Sequence, residues 1–143
     1  GPLLLAGAMS TGDGVLAAQA MGADLAYIGS AFIATEEANA DPAYKQALVD
    51  HASTDIVYSN LFTGVHGNYL KPSIKAAGMD PDNLPESDPS IMNFGSGGSS
   101  ESKAWKDIWG CGQGINAIKA VVPAADLVTR MKNEYAQARQ RIL

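Results

Sequence analysis

The chain has 143 residues, is 46% hydrophobic and 17% charged, and carries a formal net charge of −5 at pH 7. That length corresponds to about one domain with enough apolar residues for a buried core, and the acidic balance without a Lys/Arg block argues against nucleic acid or an anionic membrane surface as partner. The single cysteine, Cys111, excludes an internal disulfide framework and suits a reducing, cytoplasmic compartment; no apolar run approaches the ~20 residues of a membrane-spanning helix, and no basic segment of a secretory signal opens the chain.

Residues 3–6 form a short continuous apolar run, which predicts a strand covered on both faces, as in parallel sheets. Thr11 or Asp13 can cap the helix that follows. Residues 15–21 are Ala-rich and helical in composition, with Gly22 suited to the position just past the helix end. The stretch "ADLAYIGS" then reads as a second buried strand ending at Gly29. Strand, helix and strand within one short segment make a βαβ unit, whose crossover is expected to be right-handed.

After Ser30, "AFIATEE" predicts a short helix. In "DPAYKQALVDH", Asp41 is the N-cap and Pro42 the first helical residue, with Ala43, Ala47 and Leu48 on the inner face. "TDIVYSNLF" reads as extended. Residues 63–100 are poor in periodicity and rich in Gly, Pro, Asn, Asp and Ser; within them only "PSIKAAG" suggests a helical turn or two, and "NFGSGGSS" is flexible by composition. Residues 101–109 read as a helix with Trp105 and Trp109 on one face, "GCGQG" breaks it, and 115–121 reads as a further helix. Pro123 opens the last helix, where Ala124, Leu127, Val128, Met131, Tyr135, Ala138 and Ile142 follow a 3.6-residue period. The expected organisation is therefore 1–62 as βα units, 63–100 as a loop-rich insertion and 101–143 as C-terminal helices. Two parallel strands do not make a stable sheet alone. The chain is accordingly expected to be the C-terminal part of a larger α/β domain, with partner strands supplied by a preceding part of the domain or by another copy.

Both strands end in small-residue turns, Ala6-Gly7-Ala8 and Gly29-Ser30. Ligands of α/β sheets sit at the carboxyl ends of strands, and glycine there lets backbone N–H groups approach an anion with no Cβ in the way. The short helix after Gly29 turns its unpaired N–H groups toward the same point, and Ser30 adds a hydroxyl. Together these features predict a phosphate cup.

The stretch "AGAMSTGDGVLAAQAMGADLAYIGSAFIATEEANADPAYKQAL" resembles the C-terminal half of the nitronate monooxygenase family, also called the 2-nitropropane dioxygenase family. The family pattern is roughly A-G-G-I, D-G-R-G, L-G-A-D, G-T-R-F-L-A-T-E-E and P-x-Y-K. It is matched here by Ala6-Gly7-Ala8-Met9, Gly12-Asp13-Gly14, Met21-Gly22-Ala23-Asp24, the run from Gly29 to Glu37, and Pro42-Ala43-Tyr44-Lys45. The tail "GCGQGINAIKAVVPAADLV" is also similar to the family's last segment. The resemblance implies an α/β chain that is the C-terminal portion of a (β/α)8 TIM barrel, its last two βα units plus C-terminal helices. It implies FMN as cofactor, an alkyl nitronate and molecular oxygen as substrates, and a role for this segment in anchoring the FMN phosphate. Gly7 and Ala8 would hold the phosphate through backbone N–H groups, Gly29 and Ser30 would complete the cup, and Gly112 and Gln113 would lie on the flavin or substrate side. The chain departs from the pattern at Ala8, where glycine is usual, and at Ser30 and Ala31, where threonine and arginine are usual. The family's catalytic base is a histidine on a loop after a middle barrel strand; no segment of this chain corresponds to it.

Other residues read as structural. His51 ends a helix, where a cation complements the dipole. His66 lies in a Gly-flanked loop of the kind that often borders a site, but it does not match the family's base. Cys111 reads as a small buried thiol, Glu36 and Glu37 as a solvated helix end, and Trp105 and Trp109 as a packing stripe. Two separated histidines and one cysteine make no metal site. Three further functions compete: a flavin-dependent enoyl-acyl carrier protein reductase, a nucleotide-phosphate enzyme of the inosine monophosphate dehydrogenase group, and a non-catalytic phosphate-binding fragment. The dehydrogenase group needs a cysteine upstream of the phosphate strands, whereas Cys111 lies downstream.

Overall fold

The structure is a computed structural model that describes residues 1–87 and 107–142. The chain divides into two units, Gly1–Ser53 with Gly112–Leu143, and Thr54–Cys111. The helix expected over most of 101–109, with Trp105, and the stretch 93–100 lie outside the described residues.

In the first unit, β1 (Leu4–Ala6) and β2 (Leu25–Tyr27) pair in parallel with Leu5 opposite Ala26, and α1 (Gly12–Ala20) connects them. Thr11 Oγ1 accepts the Gly14 N–H at 3.2 Å and caps α1. At the other end Gly22, with φ of +96°, closes a Schellman motif: its N–H bonds the Gln19 carbonyl and the Ala23 N–H bonds that of Ala18. The sheet departs from the expected two-sided burial. Leu5 and Ala26 share a half-buried face, while Leu4, Leu25 and Tyr27 on the other face are exposed. Two strands with one crossover helix cover only one side of a sheet.

The short helix α2 (Ser30–Ile33) stops before Thr35, which bridges Val122, so Glu36 and Glu37 do not end a helix, whereas helix α3 (Pro42–Asp50) follows as expected. Asp41 Oδ1 accepts the Ala43 N–H at 2.7 Å, and Pro42 occupies the first turn, where no N–H is needed. Ala47 and Leu48 face inward, but Ala43 is exposed and the half-buried Tyr44 precedes them instead. Residues 115–121 do not form the expected α-helix. Gln113–Ala117 makes one stretch of 3-10 helix, and the chain then extends until Val122 bridges Thr35 in parallel. Two valines favour extended backbone, and Pro123 disfavours helical geometry at the residue before it.

The last helix, α5 (Ala124–Ile142), buries Leu127, Met131 and Ala138 as its period predicts, whereas Val128 and Ile142 are exposed. It packs against α1 at close range, because a Cβ on Gly12 would stand 2.0 Å from the Met131 carbonyl oxygen and 2.4 Å from the Tyr135 nitrogen. Glu134 Oε2 accepts the Gly12 N–H at 2.8 Å, so α5 caps α1 where its own chain leaves a donor unpaired. Full burial of Leu48 and Ile115 in this unit contributes about 1.5–3 kcal/mol each.

In the second unit, β3 (Ile56–Ser59) and β4 (Gly67–Leu70) form an antiparallel pair with Val57 opposite Tyr69. The segment around Gly110 adds to β4, with the Leu70 N–H on the Trp109 carbonyl and the Cys111 N–H on the Asn68 carbonyl. Helix α4 (Lys71–Ala76) follows directly, in the stretch where a helical turn was expected. β4 lies in sequence that shows no alternation; its place is set by the turn at Gly64, with φ of +76° and its N–H on the Asn60 carbonyl at 2.8 Å. Leu70, Ile74 and Ser73 are fully buried in this unit.

Candidate functional site

The carboxyl ends of β1 and β2 open into a cavity of about 200 Å³ within the first unit. Ala6, Gly7, Ala8, Gly29, Ser30 and Gly112, six of the seven positions singled out in the sequence, line it; Gln113 is exposed and does not. Met9, Ser10, Tyr27 and Gly114 complete the wall.

Three local features shape this cavity. Gly7 and Ala8 have φ of +109° and +53°, so the chain leaves β1 through two consecutive left-handed residues. Ala8 is the only residue other than glycine with positive φ among the described residues. An L-residue held there stores strain, which persists where surrounding structure over-determines the backbone. Second, Ser30 Oγ accepts the Gly112 N–H at 2.7 Å and ties the β2 end to the "GCGQG" segment. The hydroxyl proton of Ser30 stays available to donate. Third, Gly114 is there because nothing larger fits: a Cβ would lie 2.5 Å from the Ala8 carbonyl oxygen and 2.7 Å from Ser10 Oγ. In α2 the first backbone bond runs from Phe32 N–H to the Gly29 carbonyl, at 2.9 Å, so the amides of Ser30 and Ala31 have no intrahelical acceptor.

Arg130 braces this arrangement from α5. Its Nη2 donates to the Ser10 carbonyl at 3.0 Å and its Nη1 to the Ala117 carbonyl at 3.1 Å, with Glu134 3.7 Å from its Nε. Among the described residues lining the cavity there is no carboxylate, imidazole or thiol. What it presents is backbone N–H, two serine hydroxyls, the Tyr27 phenol, the Met9 thioether and otherwise small side chains. That surface can receive an anionic oxygen group; it cannot move a proton as a general base.

A larger cavity, about 290 Å³, is lined by Ala31, Ala34, Ile118, Val122 and Leu127 among others and is mostly apolar. Lys119, Asp126 and Arg130 also line it.

The remaining candidates take structural positions. His51 caps α3: its N–H bonds the Ala47 carbonyl, and its Nδ1 lies 3.0 Å from the same oxygen. Glu37 Oε2 accepts the Ala124 N–H at 2.8 Å and caps α5, while Glu36 is exposed. In the second unit His66 stacks on Tyr58 with ring centroids 4.9 Å apart. Cys111 is buried, and burial pushes its thiol up to about 12, away from nucleophilic reactivity at neutral pH. No group of three or more His, Cys, Asp or Glu suited to a metal occurs among the described residues, and no helix among them is long and apolar enough to cross a membrane.

Comparison with known proteins decides the family. The nitronate monooxygenase family model matches residues 2–134. The chain belongs to the nitronate monooxygenase family. A nitronate monooxygenase of Paraburkholderia phytofirmans is 30% identical over 99% of the chain, and a probable nitronate monooxygenase of Staphylococcus haemolyticus is 38% identical over 44% of it. The chain spans 40% of the length of the first and 18% of the second. Among solved structures, a nitroalkane oxidase of Streptomyces ansochromogenes superposes with a TM-score of 0.74 at 28% identity, over 99% of this chain and 41% of that one. FabK of Thermotoga maritima superposes with a TM-score of 0.69 at 18% identity, over 99% of this chain and 46% of that one, and bears on the fold alone. The α/β fold read from the sequence is thus shared with enzymes more than twice as long.

Sequence reasoning missed Ser10 and Gly114. Gly114 was within the quoted "GCGQG", but nothing in the local pattern distinguishes it from Gly112; its constraint is set by Ala8.

Proposed function

We propose that this chain supplies the FMN phosphate-binding segment of an oxidoreductase that oxidises alkyl nitronates with molecular oxygen. The observation that carries the reading is the cavity at the two strand ends: left-handed Gly7 and Ala8, the Ser30–Gly112 tie and the space kept by Gly114. These residues fit a phosphate. The wall is glycine and alanine at the places a bulky oxyanion approaches, and a buried hydroxyl there, Ser10 Oγ, has no partner among the described residues. The amides at Gly7 and Ala8 would hold the phosphate oxygens, with Gly29 and Ser30 completing the cup, and the Ser30 hydroxyl would add a donor. The bound flavin would supply the redox chemistry, taking electrons from the nitronate and passing them to oxygen. This chain's residues contribute anchoring and orientation. The catalytic base and most of the ring pocket belong to the rest of the enzyme.

The same reading makes the chain the C-terminal portion of a (β/α)8 barrel. Exposed Leu4, Leu25 and Tyr27 on one face of the β1–β2 sheet support it, since that face is the one further barrel strands and their side chains would cover. A cytoplasmic setting fits the single buried thiol.

Titration of the full chain with FMN and with riboflavin, followed by flavin fluorescence, tests the anchoring role. FMN binding well in excess of riboflavin binding is expected; a folded chain that binds neither removes the proposal. For the intact enzyme, oxygen consumption on an alkyl nitronate is the expected activity, and turnover of an enoyl thioester with a nicotinamide cofactor instead would reassign it to the reductase reading.

A further inference from the structure

We propose that the Ser10 hydroxyl is a side-chain donor to the phosphate in this cup, a contact added by this chain's own serine to the backbone cradle; the inference rests on the phosphate reading above. Five polar residues are buried among the described ones: Ser10, Thr35, Ser59, Asn60 and Ser73. Four of them are satisfied inside the protein. Thr35 Oγ1 donates to the Phe32 carbonyl, Ser59 Oγ accepts the Leu61 N–H, Asn60 pairs twice with the Ser87 backbone, and Ser73 Oγ donates to the Leu70 carbonyl while accepting the Trp109 N–H. Ser10, at 4% exposure, is the exception: its Oγ has no partner among the described residues. Buried hydroxyls left unpaired are costly and rare, so one that persists calls for a partner beyond the described residues.

Its surroundings point to where that partner binds. Ser10 lines the same cavity as Gly7, Ala8, Gly29 and Ser30. Its backbone is held by Arg130, whose Nη2 donates to the Ser10 carbonyl at 3.0 Å. Gly114 faces it without a side chain, and a methyl group there would come within 2.7 Å of Oγ. A hydroxyl on a backbone held by a charged brace, close to a glycine and on a residue in the wall of the same cavity, is placed as a donor. O–H···O⁻ bonds are short and strong compared with neutral ones.

The test uses the full chain and three probes: FMN, riboflavin and inorganic phosphate. Ser10→Ala is expected to weaken FMN on the order of tenfold, the effect of losing one charge-assisted hydrogen bond. Riboflavin affinity should stay unchanged and competition by inorganic phosphate should weaken in step. Without any ligand, the thermal midpoint of Ser10→Ala should equal or exceed that of the parent, because the variant removes an unpaired buried hydroxyl. Ser10→Cys, with a weaker donor, should fall between the two in FMN affinity. An unchanged FMN-to-riboflavin ratio in Ser10→Ala overturns the inference. A lowered midpoint with that ratio unchanged does so too, and assigns the hydroxyl to a buried water. If the parent chain shows no preference for FMN over riboflavin, the phosphate reading itself fails, and this inference with it.

Discussion

In the unit formed by Gly1–Ser53 and Gly112–Leu143, what crowds a glycine lies far along the chain: Gly12 meets Met131 and Tyr135, and Gly114 meets Ala8 and Ser10. In the Thr54–Cys111 unit the neighbour is local, since Gly67 meets the ring of Tyr69 two residues on. The first unit is held by backbone brought against backbone across long sequence separations. The second also pairs backbone across the chain, with the segment at Gly110 on β4, but its crowded glycine meets a ring, and its rings pack on one another, Phe62 edge-on to Tyr69 and His66 on Tyr58. Backbone-on-backbone contacts cannot yield, whereas a ring at the end of a rotatable side chain can. The cavity at the ends of β1 and β2 sits in the unit whose crowded glycines meet backbone.

The widest test of this contrast is a pair of identical substitutions. In Gly12→Ala the new methyl falls on the Met131 carbonyl and the Tyr135 nitrogen, neither of which moves without shifting α5. The expected loss is about 3 kcal/mol, well above the ~1 kcal/mol that alanine gains in helix propensity. In Gly67→Ala the methyl stands 3.0 Å from the Tyr69 hydroxyl, which can swing away, and the expected change is within about 1 kcal/mol. Urea midpoints measure both. Equal losses would dissolve the distinction between the units.

Arg130 is the next lever. Its two carbonyl bonds reach Ser10 and Ala117, and its neighbour Glu134 reaches Gly12. Arg130→Ala should cost about 2 kcal/mol, the worth of charged hydrogen bonds lost in a half-buried place. Arg130→Lys should lose less, since an ammonium can still meet one carbonyl but not both in the geometry of a fork. Chemical denaturation of the two variants decides it. A neutral Arg130→Ala would mean that the loop after β1 holds its shape without α5.

These long-range contacts also mark where the sequence is readable. The β1–α1–β2 unit, the Asp41 cap with Pro42, and the Leu127, Met131 and Ala138 stripe follow from neighbours within a turn or two. The cavity wall is readable at Gly7, Ala8, Gly29 and Ser30 because strand ends are local in sequence. Gly12, Gly114 and Ser10 are not readable in this way. The bond from the Gly12 N–H spans 122 positions, and Gly114 is explained only by a carbonyl at Ala8. β4 is hidden for a different reason: its four residues, "GNYL", have no alternation, and β3 with the segment at Gly110 supplies its order. The strands' two-sided burial was inferred from apolar composition, but burial depends on what covers the sheet, which the two strands do not encode.

Cys111 in the second unit gives a smaller, pH-dependent effect. Burial raises its thiol to about 12 from an ordinary value of 9.0. Well below pH 9 the thiol is protonated in both states and contributes no pH dependence. Between about 9 and 12 the unfolded chain releases the proton while the folded chain keeps it, so stability falls as pH rises. The expected loss is about 1.4 kcal/mol by pH 10. Tyrosines and lysines titrate in the same range, so the measurement is the difference in pH slope between the parent and Cys111→Ala. Parallel slopes would place the thiol in contact with solvent.

Ala8 offers the finest comparison, because every other positive-φ position described, in both units, is a glycine. Left-handed geometry costs an L-residue roughly 1–2 kcal/mol, and glycine returns part of that through the freedom it gains in the unfolded chain, about 0.5–1 kcal/mol. Ala8→Gly should therefore stabilise the protein by on the order of 0.5–1 kcal/mol. The glycine in the family pattern at this position would then be the relaxed form, and Ala8 a strained one kept in place by the Gly114 contact and the Arg130 brace. Thermal midpoints and FMN titrations of the same variant separate two roles for the methyl group. Higher stability with unchanged FMN affinity makes it pure strain. Higher stability with weaker FMN binding makes it part of the wall against which the phosphate packs, and lower stability would show that the surrounding contacts hold the loop through that methyl rather than in spite of it.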